Sequence, residues 1–283
     1  MRRPAALRAL VRRARARGGT VGFVPTMGAL HDGHVSLLRR ARRGHDKVVA
    51  SVFVNPLQFG PREDFSRYPR RPARDARLCR DAGVDWLFMP SARALYPAGA
   101  ATRVVPGPLG ARWEGAVRPG HFTGVLTVVL KLLQIVEPDT LILGRKDAQQ
   151  AVLVGAMMRD LDIPARLDVA PIVREPDGLA MSSRNAYLNG EARRRAGGLY
   201  LALEAGRHAA RTGVREAARV VAAARRILIR EARPDAVDYL ALVDPRTMEP
   251  IRRLDRRGLL IAAIRIGSTR LIDNMAVTPR GRR

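Results

Sequence analysis

From Val21 to Val173 the chain repeats one pattern: a short apolar run that reads as a strand, then an amphipathic stretch of helical period, then another strand. Neighbouring parallel strands need a long crossover, usually a helix, so this alternation predicts an α/β fold of βα units around a parallel sheet. Strands are expected at VGFVP from 21, VVASVFV from 48, DWLFMP from 85, TLILG from 140 and RLDVAPIV from 166. Residues 34–43 and 72–82 each show one apolar helical face, while 123–136 is apolar on most sides and reads as a buried helix. The arginine-rich opening, closed by Gly18 and Gly19, reads as a first surface helix, although its composition also suits a mitochondrial transit peptide.

After Val173 the texture changes. REPDGLAMSSRN is a turn-rich hinge, followed by two Ala- and Arg-rich helices over about 190–212 and 214–232. AVDYLALVDP and GLLIAAIRIGSTRLIDNMAV then alternate as strands do, with Gly267 to Thr269 placed to turn a hairpin. The arginines at the extreme C-terminus read as a frayed end. Two domains are expected, cut at 1–173 and 174–283.

Composition excludes several classes. With 283 residues and 47% hydrophobic side chains the chain can bury a core in each domain. The single cysteine, Cys79, can close no internal disulfide and has no ligand neighbours at zinc spacing, which fits a reducing cytoplasm. No apolar run reaches the roughly 18 residues of a membrane span. The formal net charge of +25 raises a polyanion partner. Yet lysine occurs only at 47, 131 and 146, and the arginines are spread over every segment. A compositional bias toward arginine explains that spread, and no specific nucleic-acid function is expected.

Four motifs carry chemistry. The first is a strand ending at Pro25, a Gly-containing loop, and His31-Asp32-Gly33-His34 opening a helix. Ligands of open α/β sheets bind beyond the carboxyl ends of strands, where a helix N-terminus favours phosphate. Two histidines three apart fall on one side of a helical turn, and Gly33 lets backbone approach a nucleotide. A pair of surface histidines capping the helix is the plainer alternative. The second motif, VNPLQFGPREDFSRYPR from 54, offers the neutral amides Asn55 and Gln58 for a hydroxylated substrate, or simply an Asn-Pro turn. In the third, LGRKDAQQ from 143, Lys146 suits a phosphate, Asp147 a ribose, and Gln150 lies one turn on. The fourth, Met181-Ser182-Ser183-Arg184 at the hinge, joins two hydroxyls and a guanidinium, as a triphosphate grip would. Together the first and fourth form a nucleotidylyl-transfer signature.

PTMGALHDGH, SVFVNPLQFG, AGVDWLFMPSARALYP, RPGHFTGVLTVVLKLLQIVEPD, KDAQQ, DGLAMSSRNAYL and GSTRLIDN stand in this order over roughly residues 20 to 275. That series resembles the pantothenate synthetase (pantoate–β-alanine ligase) family, within the HxGH nucleotidylyltransferases. The resemblance implies a Rossmann-like ATP- and pantoate-binding domain with a smaller α+β domain closing over the ATP site. It implies ATP-dependent condensation of (R)-pantoate with β-alanine through a pantoyl adenylate, releasing AMP and pyrophosphate, in pantothenate and coenzyme A biosynthesis. ATP with Mg²⁺ would be held by Met27, Gly28, Ala29, Leu30, His31, Asp32, Gly33 and His34, by Gly144, Arg145, Lys146 and Asp147, by Val173, and by Met181 to Arg184. Pantoate would be held by Gln58 and Gln150, with Asn55 close by, and Gln58 would also lie near β-alanine. His34 corresponds to the family's proposed proton donor, although adenylation moves no proton and a donor to phosphate is the simpler role. His31, His34, Lys146 and Arg184 would stabilise charge in that step. A cytoplasmic homodimer is implied as well.

Two positions depart from the family's pattern. Arg145 stands where glutamate is common, and Arg74 precedes Asp75 where an acidic pair is common, which weakens any assignment of Asp75 to magnesium. Two rivals remain: a synthetase-like tRNA binder, which would use the arginines, and a nucleotide-cofactor adenylyltransferase, which leaves the neutral amides unexplained.

Overall fold

The computed structural model describes residues 1–61 and 63–279, so the arginine-rich end at 280–283 lies outside the described residues. The chain groups into two compact units. One comprises Met1–Arg145 with Leu153–Pro171, and the other comprises Lys146–Val152 with the chain from Ile172 onward.

The first unit is built on five parallel strands: β1 (Val21–Thr26), β2 (Lys47–Val52), β3 (Trp86–Phe88), β4 (Thr140–Gly144) and β5 (Arg166–Ala170). Their order is β3-β2-β1-β4-β5, and every pairing is parallel. The chain works outward from β1 to β3, then returns to the other side of β1. The sheet therefore reverses between β1 and β4, the place where a crevice opens beyond the strand ends. The helices are α1 (Pro4–Arg15), α2 (Asp32–Gly44), α3 (Pro72–Asp81), the short α4 (Ala92–Leu95) and α5 (Glu114–Val117), α6 (His121–Val136) and α7 (Ala148–Asp160).

Strand alternation sends successive side chains into two cores, one on each face of the sheet. Phe23, Leu141 and Leu143 pack with Leu7 and Val11 of α1, the apolar length of α6 and Leu153 to Met158 of α7. Val24 and Ile142 pack on the other face with Leu37, Leu38 and Ala41 of α2 and Cys79 of α3. Strands β2 and β5 end earlier than their apolar runs suggested, at Val52 and Ala170. Beyond those points the backbone leaves the ladder to build the site loops.

The second unit carries α8 (Gly190–Ala196), α9 (Gly198–Arg211), α10 (Ala217–Ile227), and strands β6 (Ala236–Val243), β7 (Gly258–Ile266) and β8 (Thr269–Val277) in an antiparallel sheet ordered β6-β7-β8. The single helix expected over 190–212 is broken at Gly197. A Cβ on Gly198 would stand 2.4 Å from the Ala232 nitrogen, so α9 begins where backbone meets backbone. The second expected helix ends in a π turn over Leu228–Ala232. The β7–β8 hairpin turns on Gly267 and Ser268, with Gly267 at φ 58°, a left-handed value glycine adopts freely.

Both tryptophans, Trp86 and Trp113, belong to the first unit, so intrinsic fluorescence reports its unfolding alone. Phe23 is 0% exposed at the centre of that sheet. Phe23→Ala is expected to lower the unit's stability by about 3–5 kcal/mol in a denaturant titration read at tryptophan. A loss below about 1 kcal/mol would contradict the assigned core.

Candidate active site

The loop after β1 is held from behind by one carboxylate. Asp75, on α3 and 1% exposed, accepts the Ala29 amide at 3.0 Å on Oδ2 and the Leu30 amide at 2.8 Å on Oδ1. Gly28 and Ala29 both have positive φ, 84° and 50°. Glycine adopts that region freely, whereas alanine pays for it, so the two bonds to Asp75 hold a turn that would otherwise relax. Space is tight as well: a Cβ on Gly28 would come within 2.9 Å of Val52 Cγ1 and 3.0 Å of Asp75 Oδ2. The Gly28 amide donates to Thr26 Oγ1, whose own hydroxyl donates to the Ser51 carbonyl on β2.

This turn delivers His31 as the N-cap of α2, with extended backbone, and His34 as its third helical residue. The two rings lie 4.1 Å apart between centroids. The pair meets through cap geometry, because His31 sits just outside the helix. The His31 amide donates to His34 Nδ1 at 3.4 Å. An accepting Nδ1 puts the proton of neutral His34 on Nε2, making that edge a donor. Asp32 and Gly33 complete the first turn, where unpaired N–H groups favour an anion.

A second cluster in the same unit surrounds Gln58. Asn55 is 1% exposed and spends its whole amide on protein. Its Nδ2 donates to Gln58 Oε1 at 3.1 Å and to the Gly124 carbonyl at 3.0 Å, while Oδ1 accepts Tyr96 Oη at 3.0 Å and the Leu57 amide at 3.3 Å. Two donors and two lone pairs are thus used. Asn55, expected beside pantoate, also holds the Gln58 side chain through this network. With Oε1 engaged, Gln58 presents its NH₂ end toward Met27, whose sulfur lies 2.9 Å from Nε2. The Gln58 carbonyl is gripped by His121 Nδ1 at 2.9 Å and Arg118 Nη2 at 3.2 Å. Arg118 forks onto Glu63 at 2.8 and 2.6 Å and donates to His121 Nε2 at 3.1 Å. Because a carbonyl only accepts, His121 must carry its proton on Nδ1. Burial, reinforced by the Arg118 charge, pushes its pKa down to about 4. Gly124 lets α6 touch this loop directly, since a Cβ there would lie 2.1 Å from the Leu57 oxygen. Beyond the ends of β1, β2 and β3, a cavity of about 390 Å³ is lined by Met27, Gly28, Val52 to Val54, Asp75 and Met89.

Gly144 ends β4, and Arg145–Asp147 form a 3-10 turn into α7. Lys146 is half-buried and its carbonyl accepts Asn274 Nδ2 at 3.0 Å, within the second unit. Asp147 is exposed, Gln149 is buried, and Gln150 is half-buried. In the second unit Val173 and Met181 are neighbours, because the Met181 amide donates to the Val173 carbonyl at 3.0 Å across a hairpin bridged at Arg174 and Ala180. Ser182 then caps a 3-10 turn over Ser183–Tyr187, its hydroxyl accepting the Arg184 amide at 3.3 Å. Each unit thus gathers its own share of the expected ATP residues.

The sequence profile of the family described as pantoate-beta-alanine ligase matches residues 1–276. The chain belongs to the pantoate–β-alanine ligase family. A pantothenate synthetase of Acidothermus cellulolyticus is 53% identical over 261 residues, 91% of this chain and 85% of that one. Another, of Moorella thermoacetica, is 50% identical with 96% of each chain covered. The crystal structure of pantothenate synthetase from Thermus thermophilus is similar at a TM-score of 0.94 with 50% identity, covering 99% of both chains. Pantoate–β-alanine ligase from Francisella tularensis, complexed with β–γ ATP and β-alanine, is similar at a TM-score of 0.79 with 34% identity, covering 97% of this chain and 96% of that one.

In this ligase Asp75, Tyr96, Arg118, His121, Gly124, Asp273 and Asn274 were not named from sequence as site residues. The signals were present: a glycine inside the apolar helix of RPGHFTGV marks close backbone approach, and histidine and arginine just before it are rare neighbours for so apolar a segment. Among the described residues no group of three or more His, Cys, Asp and Glu side chains stands at metal-holding distance. Asp75 has both oxygens on backbone amides. The residues present therefore do not form a protein cage for Mg²⁺.

His121 also predicts a pH dependence. An exposed histidine titrates near 6.5 and the folded one near 4, so the unfolded chain takes the proton first. This group's contribution is full above about pH 6.5 and is lost as pH falls toward about 4, by up to about 3 kcal/mol. In tryptophan-monitored denaturation, the stability gap between wild type and His121→Gln is expected to narrow over that window. A gap independent of pH would contradict the neutral Nδ1–H histidine.

Proposed function

We propose that this protein condenses pantoate with β-alanine at the expense of ATP, forming pantothenate, AMP and pyrophosphate through a pantoyl adenylate. The observation that carries the reading is the turn at Met27–His34, held by Asp75, at the helix N-terminus where the sheet reverses, in a chain whose relatives along nearly its whole length are pantothenate synthetases. ATP and β-alanine are the molecules held by the Francisella tularensis relative.

In the first step a pantoate carboxylate oxygen attacks the α-phosphorus of ATP, and pyrophosphate leaves. Charge accumulates on phosphoryl oxygens, so the protein's task is to hold donors and cations in place before reaction. His34 Nε2–H, His31 and the first amides of α2 are assigned that purpose. Lys146 and Ser182 to Arg184 are assigned the same purpose, with Gly144, Arg145, Asp147, Val173 and Met181 along the nucleotide. In the second step the neutral β-alanine amine attacks the acyl carbon, the acyl–oxygen bond breaks, AMP leaves, and the new amide nitrogen releases one proton. Pantoate carries hydroxyl and carboxylate oxygens, all of which can accept, and Gln58 offers its NH₂ end; Gln150 is assigned to the same substrate. Mg²⁺ would come with the ATP phosphates, as it commonly does. No described helix is long and apolar enough to cross a membrane. A cytoplasmic homodimer is part of the same proposal.

The test is isotope exchange between pyrophosphate and ATP. Exchange is expected to require pantoate and to ignore amino acids and mononucleotides, which also separates the tRNA-linked and cofactor-adenylylating alternatives. His34→Ala is expected to fold and to lose exchange by about 10²–10³-fold. Exchange without pantoate, or an undiminished rate in His34→Ala, would refute the assignment.

A further inference from the structure

Strand β8 breaks its own alternation at one point. Thr269, Leu271, Asp273, Met275 and Val277 occupy the buried register, while Arg270, Ile272 and Ala276 on the other register are half-exposed. Asn274 belongs to that second register yet is only 3% exposed, as is Asp273 beside it. A buried carboxylate and a buried amide side by side need partners, and an apolar pair would have served a purely structural strand.

The partners are the backbone of expected ATP residues. Asn274 Nδ2 donates to the Lys146 carbonyl at 3.0 Å. Asp273 receives the Arg174 fork at 2.6 and 3.1 Å and the Asn274 amide at 2.7 Å. Burial pushes the Asp273 carboxyl up, and the Arg174 fork pulls it back toward the charged form. Arg174 donates further to the Gly178 carbonyl at 2.9 Å and lies 4.7 Å from the centre of the Tyr200 ring. Gly178, at φ 88°, leaves no room for a side chain, since a Cβ would come within 2.0 Å of Tyr200 Cδ1. One arginine therefore pins both arms of the hairpin that joins Val173 to Met181.

We infer that Asn274 and the Asp273–Arg174 pair are positioning residues for ATP: Asn274 sets the backbone at Lys146, and Asp273, through Arg174, sets the hairpin that leads into Ser182–Arg184. The inference rests on the reading that Lys146 and Met181–Arg184 meet the ATP phosphates. It gives the closing LIDN segment a task in the first half-reaction that none of its side chains performs by touching substrate.

The two half-reactions separate the possibilities. Asn274→Asp keeps the shape and removes the donor to Lys146; Asp273→Asn keeps the shape and removes the charge facing Arg174. Each is expected to lower pantoate-dependent pyrophosphate exchange about ten- to a hundredfold, with a raised KM for ATP. Each is also expected to leave pantothenate release from supplied pantoyl adenylate and β-alanine within about threefold of wild type, because pyrophosphate has already departed. Equal losses in both half-reactions, with or without a lowered melting temperature, would make these residues merely structural and overturn the inference, as would unchanged exchange. Lys146→Ala is the control. If it lowers exchange while Asn274→Asp does not, the positioning inference alone fails. If Lys146→Ala leaves exchange unchanged, the phosphate reading of Lys146 fails and the inference with it.

Discussion

The interaction on which the site depends is the Asp75 carboxylate on the amides of Ala29 and Leu30. Without it, two consecutive residues with positive φ would have little to hold them in that region, and α2 would start elsewhere. With it, His31 becomes the helix cap, His34 its third residue, and their rings meet at 4.1 Å. Charge-assisted bonds to backbone amides are about twice as strong as neutral ones, and Asp75, which accepts them, is 1% exposed. The residue that holds this turn thus sits on α3, far along the chain, and its charge is directed at backbone.

The same device recurs. Asn55 and the Glu63–Arg118–His121 series hold Gln58 by side chain and carbonyl, leaving its donor end to face Met27. Asn274 holds the Lys146 carbonyl. In each case a polar group fixes the side chain or backbone of a residue expected to meet substrate. Preorganisation of this kind costs nothing at the moment of reaction, which is why a fold can stabilise phosphoryl charge with few cations. The many arginines are a separate matter. Arg12, Arg40 and Arg42 pair with Glu137, Asp168 and Asp85 at partly exposed sites, where ion pairs contribute little each.

Much of this was legible in the sequence. The apolar runs located all five parallel strands, because strands covered on both faces read as continuous hydrophobic segments. The glycine loop and His31–His34 located the turn that opens α2, and MSSR the loop that follows the Arg174–Ala180 bridge. Elements ended where tertiary contacts intervened: α8 and α9 separate at Gly197 because Gly198 meets Ala232, a contact with no local signature. The side chains behind the site were hidden for a related reason. Asp75, His121 and Asn274 act on residues 45, 63 and 128 positions away in sequence, and only folding shows what they hold. Asn55 illustrates the converse, a residue its motif singled out but whose partners in the fold, Gln58, Gly124, Tyr96 and Leu57, the motif did not show.

The donors so arranged are proposed to serve attack of a carboxylate on the α-phosphorus. Pantoate labelled with ¹⁸O in both carboxylate oxygens tests this directly, with products analysed by mass spectrometry after turnover with ATP and β-alanine. One label is predicted in AMP and the other in the amide carbonyl of pantothenate, because the bridging oxygen leaves with the nucleotide. Unlabelled AMP, or label in inorganic phosphate beside ADP, would place the attack elsewhere and contradict the account.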